Sequence, residues 1–218
     1  MKVGTDGVLL GAWADVSGAE RILDIGTGTG LIALMLAQRS NAEIDAIEIN
    51  KEAAFEAKQN AGNSPWQARI HIFNESFQEF VSRSDQKYDL IVCNPPYFNR
   101  SKKAPDSLRS LARHDDSLPG HELIHGAGKL LSDKGIFSVI LPFTGSEKFI
   151  KLASEFQLYP AKVLKIRPVS NKEINRLIIE LVKTQSQTET SEITIETDKR
   201  HRYSEEFVLL TRDFYLNF

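Results

Sequence analysis

Apolar residues first gather in Arg21-Ile22-Leu23-Asp24-Ile25, a β-rich run that stops at Gly26. A tight turn, Gly26-Thr27-Gly28-Thr29-Gly30, follows, and residues 31–39 then carry helix formers without a breaker. The same alternation continues along the chain. Residues 43–49, 69–73 and 88–93 read as strands, and residues 51–60 and 77–81 as the helices between them. The run at 88–93 is apolar on both faces, as a central parallel strand requires. After the Pro95-Pro96 break, residues 102–119 are polar and irregular. A helix over 122–131, a strand over 135–141 and a helix over 146–156 come next.

The period then changes. Residues 161–167 and 176–183 are strand-like runs joined by 168–175, which leaves no room for a crossover helix, so they predict an antiparallel hairpin at the sheet edge. Residues 185–191 lack apolar content and read as an exposed loop. A strand over 193–197 and a helix-like tail over 204–215 close the pattern. Alternating βα units with short loops imply an α/β, doubly wound, mostly parallel sheet with an antiparallel edge hairpin. Its ligand is expected at the carboxyl ends of the first strands.

Composition narrows this picture only a little. With 218 residues, 41% hydrophobic and 26% charged, the chain suits one large domain better than two. A formal charge of -2 does not mark a nucleic-acid binder, so contact with a polyanion has to come from a local basic face. Cys93 is the single cysteine and reads as a small buried residue of the fourth strand. No apolar stretch approaches the ~20 residues of a membrane span, and no leader pattern precedes the first motif. A cytoplasmic monomer without a metal is expected. His121 and His125 have helical i, i+4 spacing but no third ligand nearby, so they read as helix surface.

Two motifs carry chemistry. Gly26, Gly28 and Gly30 directly follow the first strand, where a backbone without Cβ atoms turns sharply and lets a ligand approach. The spacing is G-x-G-x-G with Asp24 in the strand before it, unlike the G-x-G-x-x-G of nicotinamide enzymes. Glu48 ends the second strand, where a carboxylate can accept hydrogen bonds from ribose hydroxyls. Asn94-Pro95-Pro96-Tyr97 follows the fourth strand, at the ligand end of the sheet. A planar amine on an sp² carbon is a poor nucleophile because its lone pair is delocalised. The Asn94 side-chain oxygen and the Pro95 carbonyl can each accept a hydrogen bond from such an amine and draw it toward tetrahedral geometry. Two prolines set those acceptors in advance. Tyr97 or Phe98 offers a π-face for a planar base, a contact of about 1–3 kcal/mol in nucleic-acid sites.

Leu23-Asp24-Ile25-Gly26-Thr27-Gly28-Thr29-Gly30 resembles motif I of class I, Rossmann-like, S-adenosylmethionine-dependent methyltransferases, and Glu48 resembles their ribose-binding acid. Those enzymes usually place an acid after the third strand against adenine; Ser76 stands at that distance here, with Glu75 beside it. The segment Lys2-Val3-Gly4-Thr5-Asp6-Gly7-Val8-Leu9-Leu10-Gly11-Ala12-Trp13 and the tail Tyr203-Ser204-Glu205-Glu206-Phe207 with Phe214-Tyr215-Leu216 resemble the bacterial tRNA(Val) adenine-37 N6-methyltransferase family. The resemblance spans essentially the whole chain. It implies that Thr5 and Asp6 lie near the cofactor, that Asp24, Gly26, Gly28, Gly30, Glu48 and Ser76 hold it, and that residues 94–98 hold the base. Family members usually carry further residues before this segment, which implies a shortened start or a missing amino-terminal piece. One domain is expected over 1–218: a lid segment at 1–20, a cofactor core at 21–160, and the hairpin and tail at 161–218.

Arg100, Lys102 and Lys103 follow the second motif and are candidates for tRNA phosphates, although such clusters are more often solvated surface. His114 and Asp115 read as loop residues. Asn-Pro-Pro-Tyr alone specifies a planar nitrogen, not which one. A glutamine-N5 methyltransferase of release factors is the alternative enzyme. An RNA-binding module with a vestigial cofactor fold and a nicotinamide oxidoreductase are readings of other classes.

Overall fold

The computed structural model describes residues 4–95, 118–198 and 202–215. Its strands are β1 (Arg21–Ile25), β2 (Glu43–Ile47), β3 (Ile70–Phe73), β4 (Tyr88–Cys93), β5 (Leu131–Pro142), β6 (Tyr159–Val169), β7 (Arg176–Val182) and β8 (Glu189–Glu196). They form one sheet in the order β3-β2-β1-β4-β5-β7-β6-β8. From β3 to β5 every pairing is parallel, β7 is antiparallel to both of its neighbours, and β8 runs parallel to β6.

The helices are α1 (Thr5–Trp13), α2 (Leu31–Arg39), α3 (Lys51–Gly62), α4 (Phe77–Arg83), α5 (Gly120–Leu130), α6 (Phe143–Glu155) and α7 (Glu205–Thr211). Alternation along the central strands divides their side chains between two cores. Ile91 and Cys93 face Phe77, Leu123, Ile124 and Phe149 of α4, α5 and α6. Leu90 and Val92 face Leu9, Leu36, Ala61 and Phe207 of α1, α2, α3 and α7. At the helix crossing of α4 and α5, Gly126 allows the closest approach: a Cβ there would lie 2.5 Å from the Phe77 ring.

β1, β4 and α2 have the bounds the residue pattern predicts. Three differences have physical causes. Residues 5–13 form a helix that the short apolar run did not announce, because its sides are buried against both α2 and the sheet and leave no polar face to read. β8 takes in part of the expected loop 185–191, and it, not the β6–β7 hairpin, is the outermost strand. Glu189 to Glu192 are exposed, so the first half of that strand is held by main-chain pairing and the Arg167–Glu192 ion pair (2.7 Å), while Ile193 and Ile195 beyond it pack on the core. A charged outer strand also discourages pairing with another sheet. Finally, α6 is broken at Thr144 and Gly145 (φ 96°), so its regular turns start near Ser146, where the sequence places them.

Polar groups fasten the chain's start to the hairpin. The Asp15 amide donates to Oε1 of buried Glu180 on β7 (3.2 Å), and Lys162 on β6 lies 3.8 Å from Oε2 of the same carboxylate. Burial raises the Glu180 pKa above the ordinary carboxylate value. On β4, the Tyr88 hydroxyl donates to Asp45 (2.6 Å), which also pairs with Arg21. Cys93 is buried, and desolvation pushes its thiol pKa upward, in keeping with a packing role. His125 packs edge-on against Phe156 with ring centroids 5.8 Å apart. Among the described residues, no helix is long and apolar enough to cross a membrane, and no group of three or more His, Cys, Asp or Glu could hold a metal.

Candidate active site

The parallel order places the carboxyl ends of β1, β2, β3 and β4 side by side along one rim. The loop after β1 is hooked to its neighbour there, as the amides of Gly26 and Thr27 both donate to the Ile47 carbonyl at the end of β2 (2.9 and 3.0 Å). Gly26 and Gly30 have φ of 70° and 85°, a region that residues with a Cβ adopt only at a cost. A Cβ on Gly30 would also press on Ala57 of α3 at 3.4 Å. Around Gly26, by contrast, the space a Cβ would enter is open, so the loop leaves backbone exposed to a ligand.

Asp24 organises this loop from beneath. Its fully buried carboxylate accepts hydrogen bonds from the Thr27 hydroxyl (2.6 Å) and the Ala33 amide (3.2 Å), joining strand, loop and helix through one side chain. The other oxygen, Oδ1, is buried without a hydrogen-bond partner among the described residues. Burial raises the Asp24 pKa to about 7, opposed by the bonds from Thr27 and Ala33 and aided by the nearby Glu48 charge.

A raised carboxyl pKa has a defined consequence for stability. Between the unfolded pKa near 4 and the folded value near 7, the native state holds the extra proton. The stability Asp24 contributes is therefore full below about pH 4 and is lost as pH rises through about 7. Thermal unfolding of Asp24→Asn against wild type at pH 5 and pH 8 checks this. The variant is expected to gain in relative Tm at the higher pH, and an unchanged difference would speak against a buried, proton-binding Asp24.

Glu48 sits just beyond β2 with its two oxygens held apart by backbone donors: Oε2 accepts from the Gly28 amide (2.9 Å) and Oε1 from the Asn50 amide (2.8 Å). Its main chain is tied to β3 by Asn74, whose side-chain nitrogen donates to the carbonyls of Glu48 and Ile49 (2.8 and 3.1 Å). Ser76 is not a free ligand on this side. It caps α4, with its hydroxyl accepting from the Glu79 amide and its amide donating to the Glu79 carboxylate. Glu75 is likewise engaged, paired with Arg83 (2.9 Å to Nε). Among the described residues, both Glu75 and Ser76 on the rim after β3 are thus engaged with partners of their own.

Asn94 is partly exposed directly after β4, and Pro95 beside it is buried. Helix α1 brings the chain's start to the same place: a Cβ on Gly7 would lie 3.7 Å from Asn94 Nδ2 and 3.5 Å from Leu31. Thr5 hydrogen-bonds the Tyr215 phenol, and Asp6 accepts from Arg176 Nε on β7 (3.0 Å). Leu210, Phe214 and Tyr215 pack against Val8, Ala12 and Met35, so the two ends of the chain, far apart in sequence, share one cluster. Pro96, Tyr97, Phe98, Arg100, Lys102 and Lys103 lie outside the described residues. Of the organising residues, Thr27, Asn74 and Arg176 were not picked out by sequence. Thr27 alone had a local signal, three residues after Asp24 in a glycine turn.

The open backbone at Gly26, the orphaned Asp24 oxygen below it and the paired acceptors of Glu48 suit a nucleoside-bearing cofactor. With an Asn-Pro turn two strands from that acid, the fold and rim define an S-adenosylmethionine-dependent methyltransferase, and a family model, the methyltransferase small domain, matches residues 7–160. Solved methyltransferases share the architecture. A protein of Agrobacterium tumefaciens described as a predicted O-methyltransferase superposes with a TM-score of 0.72 at 19% identity, covering 95% of this chain and 96% of that one. The ribosomal protein L11 methylase of Lactobacillus delbrueckii gives 0.58 at 19% identity, over 82% and 77%. At such identity the likeness concerns the fold alone.

Relatives in sequence are much nearer. Proteins named tRNA1(Val) (adenine(37)-N6)-methyltransferase are 48% identical in Parabacteroides distasonis (99% of this chain, 91% of that protein) and 48% in Flavobacterium psychrophilum (99% and 93%). The one from Trichodesmium erythraeum is 44% identical over 100% and 92%. The chain belongs to the tRNA1(Val) (adenine(37)-N6)-methyltransferase family.

Proposed function

We propose that this protein transfers a methyl group from S-adenosylmethionine to N6 of adenine 37 in tRNA1(Val), acting in the cytoplasm as a monomer. The observation that carries the reading is full-length similarity to enzymes of that name, joined to an Asn-Pro turn at the carboxyl end of β4. The chain would work as one unit, with residues 1–20 over the cofactor, 21–160 forming its core, and 161–218 supplying the hairpin and the tail that closes on α1.

Gly26, Gly28 and Gly30 keep side chains out of the cofactor's way, with Asp24 holding their loop in shape. Glu48, already aligned by two amides, would take the ribose hydroxyls. Ile49, exposed next to it, offers apolar surface to the adenine ring, and Ser76 borders the same side from its cap. Thr5 and Asp6 complete the wall on the α1 side. When bound, S-adenosylmethionine supplies a methyl carbon made electrophilic by a sulfonium.

Asn94 and Pro95 act on the acceptor. The two heteroatoms of a carboxamide diverge from one carbon, so with Nδ2 on the side of Gly7, 3.7 Å from where a Cβ there would lie, the Asn94 Oδ1 would point away from the first turn of α1. Oδ1 and the Pro95 carbonyl would each accept one hydrogen of the adenine amine. That localises the nitrogen lone pair and orients it before reaction. Pro96 would restrict the backbone after Pro95 by its ring, and Tyr97 and Phe98 would offer aromatic faces to a base drawn out of the anticodon loop. Arg100, Lys102 and Lys103 would meet its phosphates. No general base is required, because the proton leaves readily once the nitrogen has been alkylated.

Purified protein with labelled cofactor and either unmodified tRNA1(Val) or a release factor tests the assignment. Label is expected in the tRNA alone. Transfer to a glutamine of the release factor, with none to RNA, would replace this reading with the protein-methylating one.

A further inference from the structure

The roles proposed for Asn94 leave open what holds its amide in the useful orientation. Its nitrogen faces the first turn of α1, where a Cβ on Gly7 would lie 3.7 Å from it. That turn is packed through Gly7 and Val8 but has no side-chain cap of its own. The N-cap is Gly4, which makes no side-chain capping bond, and Asp6 is the only acid in the turn. A helix start of this kind frays unless something outside it is attached.

Arg176 supplies the attachment. It is the first residue of β7, paired across the sheet with Pro142 of β5 on one side and Ile166 of β6 on the other. Its Nε donates to Asp6 Oδ2 at 3.0 Å, and its Nη1 donates to the Asn175 carbonyl at 3.0 Å. Both side chains of the pair are about three-quarters covered (23% and 26% exposed), so the interaction is screened less than a surface ion pair. The strand bearing the guanidinium is fixed on both edges, and the helix bearing the carboxylate is packed along its length but has no side-chain cap at its start.

We propose that Asp6 and Arg176 are positioning residues for methyl transfer: their ion pair clamps the first turn of α1 to β7, so that Gly7 is held against Asn94 and the Asn94 carbonyl oxygen is kept facing the acceptor amine. This rests on the reading of Asn94 given above. It gives Asp6 a role different from cofactor binding, since the Asp6 oxygen is taken up by an arginine on the far side of β5.

The test uses the full-length protein and the variants Asp6→Asn, Arg176→Met and Arg176→Lys. The side-chain amide of Asn94 is followed by nitrogen-15 NMR, with the resonance assigned by its loss in Asn94→Ala. In Asp6→Asn and Arg176→Met the Asn94 signal is expected to shift or broaden, and in Arg176→Lys to return close to its wild-type position. In parallel, kcat for tRNA methylation should fall about ten- to a hundredfold in the first two variants, with the KM for cofactor within about twofold of wild type. An Asn94 resonance that stays in place in folded Asp6→Asn and Arg176→Met would overturn the proposal. So would a loss of cofactor affinity with kcat unchanged at saturation, which would make Asp6 a cofactor ligand. A wild-type protein that methylates no tRNA would instead sink the functional reading, and the Asn94 resonance would still judge the clamp.

Discussion

Asn94→Ala is expected to lower kcat for tRNA methylation by about 10²- to 10³-fold, the usual cost of removing one preorganised polar contact from a transition state. Affinity for S-adenosylhomocysteine should be unchanged. The separation follows from the architecture. Asn94 stands after β4, two strands from Glu48, and none of the hydrogen bonds that shape the glycine loop involves it. It is also partly exposed, so truncation removes little packing. Single-turnover methyl transfer and calorimetric titration of the same preparation give the two numbers. A variant that loses cofactor affinity but keeps its single-turnover rate would assign Asn94 to the wrong substrate.

The second large effect runs the opposite way. Glu48→Ala should weaken cofactor binding by about 10- to 100-fold, because hydrogen bonds to a charged acceptor are worth roughly 1.5–3 kcal/mol. Part of that loss comes from the loop itself, since the Gly28 and Asn50 amides lose the acceptor that orients them. Glu48→Gln retains an oxygen for one of those amides and should fall between the two. At saturating cofactor, kcat in both variants should stay near wild type. Unchanged calorimetric affinity in Glu48→Ala would remove Glu48 from the cofactor site.

How far these residues could be read in advance depended on the range of the interactions that hold them. The glycine turn, Asp24 and Glu48 were legible because strand, turn and helix follow one another directly, and the local order of residues dictates the rim they share. Asn94 was legible for the same reason, sitting at the end of a run apolar on both faces. The Asp6–Arg176 pair was not, as the partners are 170 residues apart and each alone is an ordinary charged side chain. Helix α1 escaped because a segment buried on several sides shows no helical periodicity, and the first residues of β8, ahead of the expected strand at 193–197, because main-chain pairing needs no apolar pattern. Ser76 has a second, structural role that distance alone did not reveal. Distance from β3 put it where an acid was wanted, while the three-residue spacing to Glu79 was the signature of a helix cap.

The two chain ends illustrate how a sequence resemblance acquires physical meaning. Taken separately, residues 2–13 and the tail after Tyr203 were marks of a family. In the fold, Phe214 and Tyr215 cover α1, and α1 in turn reaches Asn94. The two segments are therefore joined to each other, and to the neighbourhood of Asn94, through packing.

The most direct test of the central claim is mass spectrometry of tRNA1(Val) after incubation with the protein and S-adenosylmethionine, with nuclease fragments used to locate the modification. The account predicts one added methyl group, on N6 of adenine 37, absent when Asn94→Ala replaces the wild type. A methyl group on another base or another atom, or unmodified tRNA beside a methylated protein glutamine, would contradict it.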